Sequence, residues 1–166
     1  MKEIFERRSI RKYTDQKISD RDLKELLKAA MAAPSAGNQQ PWEFIVVTGK
    51  EILNNITKFH PYSKMLREAA LAIIVCADLT RERHTGYWVQ DCAAATENIL
   101  IEAKHLGLGS VWLGVYPREE RVTGIKKLFN LPEEVMPLSI VSIGYPAEVK
   151  EPSNRYDESR IHINKW

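Results

Sequence analysis

Cysteine is scarce in this chain. Its 166 residues hold only Cys76 and Cys92, with no CxxC pair, so neither a disulfide framework nor a thiolate metal site is expected. Both lie in apolar surroundings and read as buried free thiols. Histidine is equally sparse: His60, His84, His105 and His162 are scattered, each a surface or satisfied core residue by expectation, and no metal site is predicted. No run of about 18 apolar residues is present, so nothing should span a membrane. The opening MKEIFERRSIRKY has no apolar core of the signal-peptide kind, and a cytoplasmic location is the expectation. An excess of one charge is missing too. With 24 basic and 22 acidic residues the net charge is +2, which argues against a nucleic-acid partner. Eight glycines and eight prolines are too few for a fibrous or low-complexity chain.

What remains is an ordinary globular composition at the size of one domain, and residues 1–166 are read as a single unit with 150–166 as a C-terminal arm. A short amphipathic segment covers Lys2 to Arg8. Ser19, with Asp22 three residues on, predicts a helix start. Leu23, Leu26, Leu27, Ala30 and Met31 then form one apolar stripe, ended by Pro34. WEFIVVT (42–48) predicts a buried strand, residues 51–58 a short helix, and LAIIVCA (71–77) a second, continuously apolar strand. A long Ala-rich helix over about 85–106 is stopped by Gly107 and Gly109. SVWLGVY (110–116) reads as a strand, 118–129 as a helix and LSIVSIGY (138–145) as a fourth strand. Two helices before the first strand and irregular interleaving predict an α+β layer fold rather than a regular βαβ array.

Four segments could carry chemistry. RRSIRKY, residues 7–13, concentrates four cations; two forked guanidinium groups there suit a phosphate, while a solvated face would look the same. APSAGNQQPW (33–42) offers small and amide residues whose backbone can be approached closely, backed by Trp42 as an apolar wall, or else is a plain loop. Gly114, inside a strand, marks either the close approach of a ligand or a bulge. The polar tail carries Arg155 and Arg160 and ends on Ile161, Ile163 and Trp166.

In this order, RRSIRKY, APSAGNQQPWEF, the Ala-rich helix running into LGLGSVWLGVYP, then LPEEVMPLSIVSIGYPAE and a basic tail, the chain resembles the FMN-dependent nitroreductase family over essentially its whole length. The resemblance implies a mostly antiparallel central sheet flanked by helices, and a homodimer with flavin at the subunit interface. It implies that Arg7, Arg8, Ser9 and Arg11 hold the FMN phosphate, completed by Arg155. It implies that Pro34, Ser35, Ala36 and Asn38 reach the flavin from the other subunit, and that Leu113 and Gly114 lie beside the ring, the Gly114 N–H near its reactive nitrogen. Hydride chemistry would belong to the flavin, with no catalytic side chain: NADH or NADPH reduces FMN, and a nitroaromatic, quinone or related small acceptor takes the electrons. Dehalogenation, ene reduction or a non-catalytic flavin-binding redox module are the alternatives on the same scaffold. Two departures accompany the match. The chain is short for the family, and HPYSKMLREA holds no clear counterpart of the family's polar ring-contacting residue.

Overall fold

The computed structural model describes residues 2–166. Five helices form among them: α1 (Lys2–Glu6), α2 (Asp20–Met31), α3 (Lys50–Ile56), α4 (Trp88–His105) and α5 (Glu119–Phe129). Strands β1 (Trp42–Val47), β2 (Leu71–Asp78), β3 (Gly109–Gly114) and β4 (Val135–Gly144) make one sheet in the order β1-β2-β4-β3. All three pairings are antiparallel, as an α+β sheet with no βαβ crossovers requires. No helix among the described residues is long and apolar enough to cross a membrane.

The sheet is covered on both faces, which is why β2 reads as an unbroken apolar run rather than an alternation. Ile73 and Val75 face α2 and α4, meeting Leu26, Cys92, Ala95 and Ile99. Ala72 and Ile74 face α3 and α5, meeting Leu53, Ile56 and Ile125. Cys76 and Cys92 are buried free thiols. Burial pushes both thiols well above their usual range, Cys76 to about 12. The small residues of α4 let it approach the sheet closely enough for Thr96 Oγ1 to meet Ser139 Oγ at 2.9 Å. Ser19 caps α2 by accepting the Asp22 N–H, 3.1 Å. Gly107, at φ 73°, closes α4 while Leu108 N–H returns to Ala103 O, 2.8 Å.

Three expectations need adjustment. β1 is not a fully buried strand; it is a sheet edge, and Glu43 to Val46 are only partly covered. Helix α4 begins at Trp88, three residues later than its apolar spacing suggested, because 85–87 form the turn that enters it. Met31, the last member of the α2 stripe, is exposed at the helix end, and its neighbours Ala30 and Ala33 take the buried positions against α4.

β3 is the other edge, and Ser9 and Ile10 cover its first half. Ser9 bridges Ser110 in parallel, and Ile10 N–H donates to Ser110 O at 3.0 Å. This close approach requires the glycine at 109. A Cβ there would lie 2.7 Å from Ile10 Cγ2 and 3.2 Å from Pro146 Cβ. Gly109→Ala should therefore overpack the junction and cost about 1–3 kcal/mol. Chemical denaturation checks it; an unchanged midpoint would mean that the edge cover has slack the structure does not show.

Candidate active site

The basic segment does not converge on one point. Arg7 and Arg8 line a cavity of about 180 Å³ with Lys104, Lys150 and the 107–110 turn. Glu6 and Glu148 lie there as well, so the cavity is basic but not bare of acid. Arg7 Nε stands 3.5 Å from the Glu97 carboxylate. Lys150 Nζ donates to Ser9 O at 2.6 Å and lies 3.1 Å from Glu148, which ties the start of the tail to the N-terminal segment. The Arg11 backbone N–H donates to Glu148 Oε1, 2.6 Å, a bond that leads the causes holding this carboxyl below its usual range. The Arg11 side chain goes elsewhere. Ile10 and Tyr13 anchor the segment by burial, and the Tyr13 hydroxyl donates to Ile10 O at 2.8 Å. Desolvation drives the Tyr13 hydroxyl above its usual range, so it stays protonated.

Arg11 lines a larger pocket, about 430 Å³, at the uncovered end of β3 together with Leu113 and Gly114. Trp112, Tyr62, Pro61 and Met65 supply its apolar and aromatic walls. Arg11, Lys64 and Arg121 are its cations, and no carboxylate is among the described residues that line it. Val115 N–H donates to Leu138 O at 3.0 Å, so antiparallel alternation turns the peptide groups of Gly114 away from β4, toward the open edge. A Cβ built on Gly114 would meet nothing within 4 Å. The space before this glycine is therefore free on its own side of the sheet. Its carbonyl accepts from Arg121 Nη1 at 2.7 Å and from His60 Nε2 at 3.0 Å. His60 is 1% exposed, and its Nδ1 has no partner. Desolvation, opposed by the Gly114 bond and by its own backbone but joined by the Arg121 charge, lowers its pKa. The imidazole is neutral, and its carbonyl partner assigns the proton to Nε2.

The loop 33–41 lies in a third place. Ala36–Asn38 form a single 3-10 turn, with Gly37, Asn38 and Gln40 all at positive φ of 47–55°. Side chains would strain such a backbone unless it were held from outside. It is held by Asp91, 4% exposed on α4, whose Oδ1 accepts the Ala36 N–H at 2.9 Å and Oδ2 the Gln39 amide at 2.7 Å. Gln39 Oε1 in turn accepts the N–H groups of Arg83 and His84, 2.9 and 3.0 Å. Ser35 Oγ accepts from Gln40 N, and Asn38 Oδ1 from the Gln40 amide. Pro34, Ser35 and Ala36 line an open cleft with Tyr87, Gln90 and Ala94.

The eleven candidate residues thus fall into separate groups within one chain. Arg7 and Arg8 share a cavity with Ser110, the residue that Ser9 bridges; Arg11, Leu113 and Gly114 share another; Pro34, Ser35 and Ala36 line a third, with exposed Asn38 beside them. Arg155 lies exposed in the irregular tail, with no hydrogen bond or ion pair among the described residues. Sequence reasoning missed His60, Lys64, Arg121, Gln39 and Asp91. Only Asp91 left a signal: it sits three residues after Trp88 on the buried stripe of α4, where a carboxylate needs a reason. Among the described residues no group of three or more His, Cys, Asp or Glu is placed to hold a metal.

The Nitroreductase family profile matches residues 4–145. An Archaeoglobus fulgidus protein with the provisional name NADH dehydrogenase/NAD(P)H nitroreductase is 51% identical over 100% of this chain and 98% of its own. The crystal structure of a Clostridium acetobutylicum protein, named provisionally as an NADH oxidase, superposes with a TM-score of 0.96 at 47% identity, covering 99% of each chain. An FMN-dependent nitroreductase from Clostridium difficile superposes at 0.92 with 34% identity, covering 99% of this chain and 98% of that one.

Asp91→Asn tests the loop anchor. The new amide would face a donor, and Gln39 cannot turn to accept because its oxygen already serves two N–H groups. Leaving a buried donor unmet should cost about 1–3 kcal/mol. Amide exchange at Ala36 should accelerate; wild-type exchange there would remove Asp91 as the anchor.

Proposed function

Since the chain belongs to the nitroreductase family, and is an NAD(P)H-dependent oxidoreductase with FMN as its cofactor, we propose that it passes electrons from NADH or NADPH to nitroaromatics, quinones or related small acceptors, one partner after the other, at sites shared between two copies of the chain. The observation that carries this reading is the pocket at Gly114. It combines an outward backbone N–H, free space where a side chain would stand, aromatic walls and three cations with no carboxylate among the described residues that line it. Those features fit a planar, electron-accepting ring that gains negative charge.

When bound, FMN supplies the hydride chemistry. The chain's own residues bind and orient. Arg7, Arg8 and Ser9 hold the phosphate end, and Arg155, unpaired in the tail, closes over it. Leu113 and Gly114 bear the ring, with the Gly114 N–H as a donor toward it. Arg11 lies in this pocket rather than with Arg7 and Arg8, so it places its charge beside the ring. No side chain is assigned as an essential acid or nucleophile. Pro34, Ser35, Ala36 and Asn38 are not among the residues that line the Gly114 pocket of their own chain, and they serve the site of a second copy. Phe5, Met31, Ile161, Ile163 and Trp166 are exposed, between 52% and 101%, and supply apolar surface for such a pairing. Residues 1–166 act as one FMN-binding unit, with 150–166 as the arm that reaches the partner.

The purified protein should be yellow, and heat should release FMN rather than FAD. Steady-state oxidation of NADH or NADPH with menadione or nitrofurazone then tests turnover. A colourless protein that fails to bind added FMN would sink the reading. Replacing Arg11 by Ala removes one charge-assisted interaction, about 1.5–3 kcal/mol, and should weaken FMN about tenfold to a hundredfold. A mixed dimer of Arg11→Ala and Asn38→Ala chains tests the shared site. One of its sites carries both lesions and the other neither, so it should outperform both parent dimers. A mixed dimer no better than its parents would place each site within a single chain.

A further inference from the structure

The grip on the Gly114 carbonyl is stronger than an edge strand needs. Both oxygen lone pairs are taken, one by a guanidinium and one by a buried imidazole, 2.7 and 3.0 Å away. The two donors come from different segments and are packed together. His60 is fixed by its own backbone, with N–H to Ile56 O at 3.1 Å and Ser63 Oγ donating to His60 O at 2.7 Å. Arg121, in the first turns of α5, lies over the Tyr62 ring, 5.5 Å from its centroid. Gly124, one turn further along α5, lets that helix press against Phe59, where a Cβ would collide with the ring. So α5 is seated directly against the segment that carries His60.

This arrangement leaves His60 Nδ1 buried without a donor. A buried orphan acceptor is a loss that a leucine of similar volume would avoid, and such exceptions call for a reason. Glycine supplies one. With open space beside it, Gly114 has no side chain to limit rotation about φ and ψ, and among the described residues β3 has no strand beyond it. The ladder holds the N–H side of the 114–115 peptide through Val115 N–H to Leu138 O, and a hold on its carbonyl side as well leaves the adjoining Gly114 N–H little freedom to turn.

We propose that His60 and Arg121 are positioning residues: together they hold the Gly114 carbonyl, and with it the 114–115 peptide, so that the adjoining Gly114 N–H is presented to the pocket as a preset donor, and Arg121 also sets the charge that favours the electron-rich form of the bound cofactor. This rests on the reading of the Gly114 pocket as the FMN site. His60 contributes geometry without charge, because its imidazole is neutral. Arg121 contributes both, from the pocket wall, where water is partly excluded and a fixed charge acts more strongly than in bulk solvent.

Four variants separate the two contributions: Arg121→Met, Arg121→Lys, His60→Leu and His60→Gln. The readouts are the midpoint potential of the bound flavin and the amide resonance of Gly114, both independent of turnover. In Arg121→Met the reduced cofactor should bind about tenfold more weakly relative to the oxidised one. For a two-electron couple that lowers the midpoint by about 30 mV. Arg121→Lys, which keeps the cation, should recover most of the shift. In His60→Leu the Gly114 resonance should broaden or split with little change in potential, and His60→Gln, which can still donate, should restore a single line. Should His60→Leu fail to fold, the Arg121 pair decides alone, since that side chain sits on a partly exposed helix face. A folded, flavin-loaded Arg121→Met with wild-type potential and a wild-type Gly114 resonance overturns the inference while leaving the site intact. Failure of the unmodified chain to take up FMN overturns the site reading and the inference with it.

Discussion

An edge strand presents a row of N–H and C=O groups that must be covered, guarded or used. β3 does all three along its six residues. The N-terminal segment covers its first half through Ser9 and Ile10, an approach so close that only glycine fits at 109. The second half stays open at Gly114, and the candidate ring site lies there. Arg11, Lys64 and Arg121 stand along the open stretch, and charges in that position also discourage another chain from adding a strand. The basic segment cannot move independently of this edge. Ile10 and Tyr13 are buried, so the placement of Arg7, Arg8 and Arg11 follows from the pairing of Ser9 and Ile10 with β3 and of Tyr13 with Pro146, just past β4.

Local charge matters here more than net charge. The chain is nearly balanced, and the cavity beside Arg7 mixes signs through Glu6 and Glu148. The Gly114 pocket does not mix them. Its three cations come from segments far apart in sequence, Arg11 before α2, Lys64 before β2 and Arg121 on α5, so no window of sequence contains them together. Charge accumulates only where the fold brings these pieces to one rim.

The same distinction explains what was legible beforehand. Periodicity and caps are local properties, so α2 with its Ser19 cap, the continuous apolar run of β2 and the glycine stop of α4 could be read directly. Strand order is not local. WEFIVVT has the composition of a buried strand but occupies an edge, because β2 pairs with β4 rather than closing the sheet on β1's far side. Within the site, RRSIRKY, the 33–42 loop and Gly114 were visible as motifs, yet their division among separate cavities was not. His60 gave no signal, since its partner is 54 residues away and is a backbone carbonyl, which no side-chain pattern records. Gln39 was hidden in the same way, being bound to the main chain of Arg83 and His84.

Asp91 separates the shape of the 33–41 loop from its chemistry. Three left-handed residues are held in place by a carboxylate on α4 and a glutamine amide turned inward, while Pro34 and Asn38 remain on the surface. The ordering entropy of the loop is met when α4 packs, before any ligand arrives. Substitutions at the exposed positions can therefore change the surface that the loop presents without first having to rebuild it. A lineage carrying this scaffold can vary that surface by single steps, and the tolerance for those steps is stored in a helix whose buried carboxylate sets the path of the loop.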